Sequence, residues 1–324
     1  MIKKRSIMLL VSLLVLTAML TACAAQQQPA AGETPKTEQA AKLKVGLSVM
    51  DLSNPYFVAI ANGVKAAAEA NGIELVVDDP KSDVQKQVSA VENFISSKVN
   101  AIIICAIDSA AVESLLKQAR EAGIKVIAQS TPIENCDVYV SAKNYDMGYT
   151  EGKAAGAWIR DKLGGQAEVA LLNYPRIAQQ IERDNGIKDG IKELAPDAKI
   201  VATQPAGNPE EGIKATETIL QANPEVKVFV CINDGGALGA LSAIEAAGKK
   251  IDDMFVGGVD ATDEALDKIK KGTAFRATVD IDPLGNGKTD VELALKLLKG
   301  ETVSNPYVIE TKLVDASNIA EYAK

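Results

Sequence analysis

From residue 44 almost to the end of the chain, short β-rich apolar runs alternate with helix-periodic segments, and this alternation restricts the fold more than any other feature. Runs such as KVGLSV (44–49), AIIIC (101–105), EVALLN (168–173), VKVFVCI (226–232) and YVIETKLV (307–314) predict strands. Between them lie segments such as Val84 to Lys98, where Val84, Val88, Val91 and Ile95 recur at spacings of four, three and four and so predict a helix with one apolar face. Gly72, Gly123, Gly248 and Gly272 stand where such helices should stop. Strands that alternate with helices build βαβ units and parallel sheets, so the expected class is α/β. In such sheets ligands bind outside the carboxyl ends of the strands. That rule points to the segments 51–57, 105–109, 129–131, 173–183, 204–208, 233–236, 260–263 and 280–283.

The first residues do not fit this pattern. Lys3, Lys4 and Arg5 precede an apolar stretch from Ile7 to Leu16, too short for the ~20 residues a bilayer needs, and read as a secretory leader over 1–22. Leu20-Thr21-Ala22-Cys23 resembles the bacterial lipoprotein signal, which implies lipid attached to Cys23 and a protein held outside the cell at the membrane. Residues 23–42 are polar and low in complexity, as a tether should be. The formal charge of −8 becomes −11 once Lys3, Lys4 and Arg5 leave with the leader, a balance that argues against a nucleic-acid partner. The sequence contains no histidine, so the usual imidazole base and zinc ligand are missing. Cys105, Cys136 and Cys231 match no metal-ligand spacing and read as buried thiols. No nucleophile stands beside a base, and neither an enzyme nor a bound cofactor or metal is expected.

In LSNPYF (52–57), Asn54 is placed to cap a helix with Pro55 in its first turn, and Tyr56 and Phe57 then stand at the mouth of the first loop. Other loops carry AIDSAAV, KNYDMG, ERDNGIKDGI, QPAGNPEEG, INDGGALGAL and GGVDAT. Together, over roughly Leu43 to Val314, these motifs resemble the sugar-binding branch of the type I periplasmic binding proteins, the ribose- and galactose-binding family of ABC importers. LacI-type repressors share the core, but a leader and not a helix-turn-helix precedes it here.

The resemblance implies two Rossmann-like lobes joined by three crossovers, 43–143 with 282–310 and 144–281 with 311–324. It implies a monomer that captures a small sugar or sugar-like molecule between the lobes and delivers it to an ABC permease with its cytoplasmic ATPase. Alternatives are a tethered sensor for a chemoreceptor or kinase, or a binder of a non-sugar solute such as a nucleoside. The ligand-binding positions it implies are Asn54, Tyr56, Phe57, Cys105, Ser130, Thr131, Arg183, Asn208, Asn233, Asp260 and Asp280. Arg183, Asn233 and Asp260 match the family's arginine, amide and carboxylate contacts, whose planar fork and paired acceptors suit neighbouring hydroxyls. Four positions depart from the pattern. Cys105 and Ile281 stand where amides are usual, Ser130 and Thr131 replace an acidic-basic pair, and Asn208 falls where an aromatic ring often closes over the sugar. These departures predict a less polar pocket that disfavours glucose and ribose, with Asp280 or Asp282 able to restore an acceptor. Arg183→Ala is expected to weaken binding and leave the melting temperature of the free protein nearly unchanged.

Overall fold

The structure is a computed structural model that describes residues 42–175 and 178–322. The chain first lays down β1 (Lys44–Ser48), α1 (Pro55–Ala70), β2 (Glu74–Asp78), α2 (Val84–Ser96), β3 (Ala101–Ile104), α3 (Ser109–Glu121), β4 (Lys125–Gln129) and β5 (Val138–Ser141). It then crosses into a second unit. That unit comprises α4 (Asn144–Lys162), β6 (Glu168–Asn173), α5 (Ala178–Leu194), β7 (Lys199–Pro205), α6 (Pro209–Ala222), β8 (Val228–Cys231), α7 (Asp234–Ala246), β9 (Phe255–Asp260), α8 (Asp263–Lys270) and β10 (Phe275–Asp280). It returns through α9 (Pro283–Leu298) and ends with β11 (Tyr307–Val308) and β12 (Lys312–Asp315).

Two six-stranded sheets result, ordered β11-β5-β4-β3-β1-β2 and β12-β10-β9-β8-β6-β7. All pairings are parallel except β10 with β12. The run at 307–314, expected as one strand, therefore splits: β11 pairs with β5 in the first sheet and β12 with β10 in the second. A single strand cannot serve two sheets, and 309–311 forms the third crossover after those at 142–143 and 281–282.

Each sheet is covered on both faces, which explains strands that are apolar throughout, such as the fully buried AIII of β3. In the first lobe, Ile60 and Val64 of α1 and Val291 of α9 pack on one face, and Val91, Phe94, Val112 and Leu116 of α2 and α3 on the other. In the second, Ile219, Leu241, Ile244 and Ile269 face Ile159, Ile187 and Ile191 across the sheet. Each such side chain removed from water contributes roughly 1.5–3 kcal/mol.

The helix over 84–98 forms as α2, two residues shorter than predicted. Gly72 and Gly123 follow α1 and α3 with φ of +64° and +86°, a conformation that suits a residue without Cβ. DPLGNGKTD (282–290) opens α9 from an Asp282 cap, but its glycines lie inside the helix. At Gly287 the reason is packing, because a Cβ there would sit 2.2 Å from Ile60 O on α1. Cys105, Cys136 and Cys231 are buried and unpaired.

Candidate functional site

The carboxyl ends of both sheets face a cavity of about 440 Å³. From the first lobe, Asn54, Tyr56 and Phe57 follow β1, and Ser130 and Thr131 follow β4. From the second lobe come Arg183, Asn208, Asn233 and Asp260.

Asn54 caps α1 as its sequence predicts: Tyr56 N–H donates to Asn54 Oδ1 at 2.9 Å, with Pro55 in the first turn. That cap aims Tyr56 and Phe57 into the cavity wall, where the rings meet edge to face at 5.1 Å and 74°. Both rings also belong to the core of the first lobe, so the same side chains carry packing and cavity shape. The Tyr56 hydroxyl bonds Ser130 Oγ, and Gln129 Nε2 donates to it at 3.3 Å. Burial pushes its phenol well above the ordinary value, and it stays protonated. Ser130 holds φ of +65°, rare for a residue other than glycine.

On the opposite wall Arg183 is buried, with Nη1 donating to Ile232 O at 2.5 Å and Nη2 to Asn144 Oδ1 at 2.9 Å. Its Nε has no partner among the described residues. Burial lowers its pKa, while Asp260 and Glu151 oppose that loss. Asp260 is buried at φ +129°, with Oδ2 unpartnered among the described residues. Backbone held in so sparsely populated a region is a cost that concentrates at binding sites. Burial, then the neighbouring Asp234, raises the pKa of Asp260. Asp234 accepts from Thr278 Oγ1 at 2.7 Å and from Thr262 N at 2.8 Å, and burial pushes it up to about 7. The wall thus includes a guanidinium and a carboxyl group, a donor and an acceptor of the kind that neighbouring hydroxyls can satisfy, with the unpartnered Nε and Oδ2 themselves buried behind the surface.

Two expected positions fall outside the cavity wall. Cys105 has no exposed surface and packs within the first core, so a thiol in place of an amide there removes nothing that faces the cavity. Asp280 turns to Tyr322, whose hydroxyl donates to Oδ2 at 2.7 Å, and to the Asp282 backbone N–H, also at 2.7 Å. Asp282 is spent on capping α9 through Gly285 N. Ile281, between them, lines the cavity instead.

Residues not singled out in the sequence complete the wall. Asn144 and Met147 enter from the start of α4, inside the motif KNYDMG. Tyr174 follows β6 in the segment 173–183, and a Cβ at Gly207 would meet its ring at 3.3 Å. An aromatic ring therefore stands against Gly207, the residue before Asn208, even though Asn208 itself is not aromatic. Asp51 and Glu211 add carboxylates, and Asp51 is held below its usual value by the Ser53 and Ser82 hydrogen bonds, which outweigh the opposing effect of burial, the largest single influence.

The sequence profile of the periplasmic binding protein domain family matches residues 45–302. The ribose import binding protein RbsB of Bacillus subtilis (strain 168) is 32% identical over 301 residues, covering 91% of this chain and 95% of that protein. A solute-binding protein of an ABC transporter from Actinobacillus succinogenes 130z, solved with bound D-allose, superposes with a TM-score of 0.79. Its identity is 29%, with 87% of this chain and all of that one covered. The corresponding protein of Bacillus halodurans C-125, solved with bound myo-inositol, gives a TM-score of 0.78 at 28% identity, covering 88% and 99%. These similar proteins are solute-binding components of transporters and not enzymes, and the fold of two mostly parallel sheets flanked by helices is shared with the solved structures. The chain belongs to the periplasmic binding protein family.

Proposed function

We propose that the protein is an extracytoplasmic lipoprotein that captures a monosaccharide or polyol between its lobes and hands it, as a monomer, to the permease of an ABC importer. The observation that carries this reading is the facing of two sets of groups across one cavity. Tyr56 and Phe57 offer apolar faces from the first lobe, and Arg183 and Asp260 offer a donor and an acceptor from the second. A sugar or polyol has apolar C–H faces and a polar rim, so it needs both kinds of group at once. Relatives that import ribose or hold D-allose or myo-inositol support the same class.

In this reading 43–143 with 282–310 and 144–281 with 311–324 are the lobes that close. Tyr56, Phe57, Ser130, Thr131, Arg183, Asn208, Asn233 and Asp260 contact the solute, and Tyr174 adds a ring. The anchor rests on Leu20 to Cys23, which lies outside the described residues. With Cys105 turned inward, the expectation of a less polar pocket loses one of its supports, and cyclic polyols and pyranoses stand as the leading candidates.

A thermal-shift screen across pentoses, hexoses, inositols, acyclic polyols and nucleosides tests the reading. A solute at 100 times its dissociation constant should stabilise the protein by ~2.7 kcal/mol. A screen in which no sugar or polyol raises the melting temperature would overturn it. For the anchor, Cys23→Ala should abolish labelling by palmitate in a bacterial host, and persistent labelling would refute it.

A further inference from the structure

Gly207, after β7 in the second lobe, has its peptide held from both lobes. Its N–H donates to Glu211 Oε2 at 2.7 Å. Its carbonyl accepts from Asn233 Nδ2 at 2.8 Å, within the same lobe, and from Asn54 Nδ2 at 2.9 Å, across the cleft. Each of these asparagines is also a helix cap: Asn54 Oδ1 accepts from Tyr56 N and Asn233 Oδ1 from Gly236 N, both at 2.9 Å. Asn208 caps α6 next door, accepting from Glu211 N at 3.0 Å. The capping residues of α1 and α7 therefore converge on one carbonyl oxygen at the start of α6, whose partial negative charge suits the positive ends of the two helix dipoles. The first turn of α7 lies close against it, since a Cβ on Gly235 would be 3.2 Å from Gly207 O and 3.5 Å from Asn54 Cγ.

Capping alone does not explain Asn54. Aspartate, serine and threonine cap helices about as well, but asparagine adds an amide donor that remains free after its oxygen has capped. Here that donor reaches a backbone acceptor of the other lobe. We propose that Asn54 is a closure latch: its amide bond to Gly207 O favours the closed arrangement of the lobes whatever solute lies between them. This rests on the reading that the protein works by opening and closing its two lobes. It makes Asn54 a positioning residue, where the family resemblance alone implies a solute contact. Both acceptor sites of the carbonyl are filled by side-chain amides only when the lobes meet. Opening exchanges one of them for water, so losing the latch should lower the closed-to-open ratio about threefold to tenfold, the size of one neutral hydrogen bond.

Asn54→Asp and Asn233→Asp form a matched pair. Both keep the cap oxygen, and both set a carboxylate against the same carbonyl, but only Asn54 reaches it across the cleft. Small-angle X-ray scattering of the ligand-free secreted chain reads the outcome, with thermal melts to show that both variants fold. Asn54→Asp should increase the radius of gyration, and Asn233→Asp should leave it at the wild-type value. Wild-type scattering from Asn54→Asp, or equal expansion in both variants, would overturn the latch. Because no solute enters this measurement, its result is independent of the solute screen: a latch without a polyol ligand and a polyol ligand without a latch are separate outcomes.

Discussion

Arg183 Nη2 donates to Asn144 Oδ1 at 2.9 Å, tying the cavity's guanidinium to the first residue of α4, just beyond the crossover from the first lobe. With Nη1 bound to Ile232 O, the side chain supports its own lobe while its Nε has no protein partner among the described residues. Arg183→Lys keeps the charge and loses the fork. Solute affinity should fall about 10- to 100-fold, matching the ~1.5–3 kcal/mol of a charged hydrogen bond. The melting temperature of the free protein should fall as well, by a few degrees, because buried acceptors lose their donor. This revises the expectation from sequence that truncating Arg183 spares stability. Calorimetry and thermal melts on the same samples check both effects, and an unchanged melting temperature would show the two structural bonds to be dispensable.

The position of Arg183 depends on how closely α4 and α5 approach. A Cβ on Gly148 would lie 1.9 Å from Arg183 O, and one on Gly152 2.2 Å from Ile187 O. Gly148→Ala must push the helices apart, and overpacking of this kind costs about 1–3 kcal/mol. It should also weaken solute binding roughly tenfold although it alters no side chain of the cavity. Wild-type affinity in a destabilised variant would show that α5 yields without moving the guanidinium.

Glu151, on α4, is fully buried, and only Oε1 is bonded, accepting from Cys231 N at 3.2 Å. Burial holds its carboxyl well above the ordinary 4.5, against the opposing pull of the Cys231 N–H and Arg183. A group whose folded pKa is raised binds more protons folded than unfolded. Its contribution to stability is therefore complete below the unfolded value and is lost as the pH rises from there toward the folded value. The loss approaches about 1.4 kcal/mol per pH unit for this group. Glu151→Gln removes that dependence, so the difference in melting temperature between variant and wild type should shift in favour of glutamine from pH 5 to pH 8. A constant difference would mean that the carboxyl is not held protonated.

Among the described residues the cavity wall carries the acids Asp51 and Glu211 against the single cation Arg183, while burial disfavours the charged form of Asp260. Anionic solutes should therefore bind at least tenfold more weakly than neutral ones of the same shape. D-ribose 5-phosphate against D-ribose, and an inositol phosphate against myo-inositol, make the comparison by calorimetry at low salt. Added sodium chloride should narrow the gap by screening. Tighter binding of the phosphorylated member of either pair would refute this charge argument.

The α/β class, the order of elements and most of the loops that line the cavity were legible in the chain itself, because apolar patterns and cap residues are local signals and strand ends mark the ligand side of a parallel sheet. Asn54 before Pro55, and glycines such as Gly72 after helical runs, marked ends that the fold then adopts. The side-chain directions were not legible. Cys105 and Asp280 stand at strand ends where a cavity residue belongs, yet one is covered by the core and the other is drawn to Tyr322, forty-two residues away in sequence. The split of 307–314 between two sheets was equally hidden, since a run of β-forming residues does not reveal which edge will accept it. Tyr174 against Gly207 exists only once β6 and β7 lie side by side in the second sheet, and Asn54 against Gly207, across 153 residues of chain, only once the two lobes face each other. Local propensity acts over a few residues and is written in the sequence, whereas contacts between distant segments depend on how two finished sheets dock, which packing alone decides.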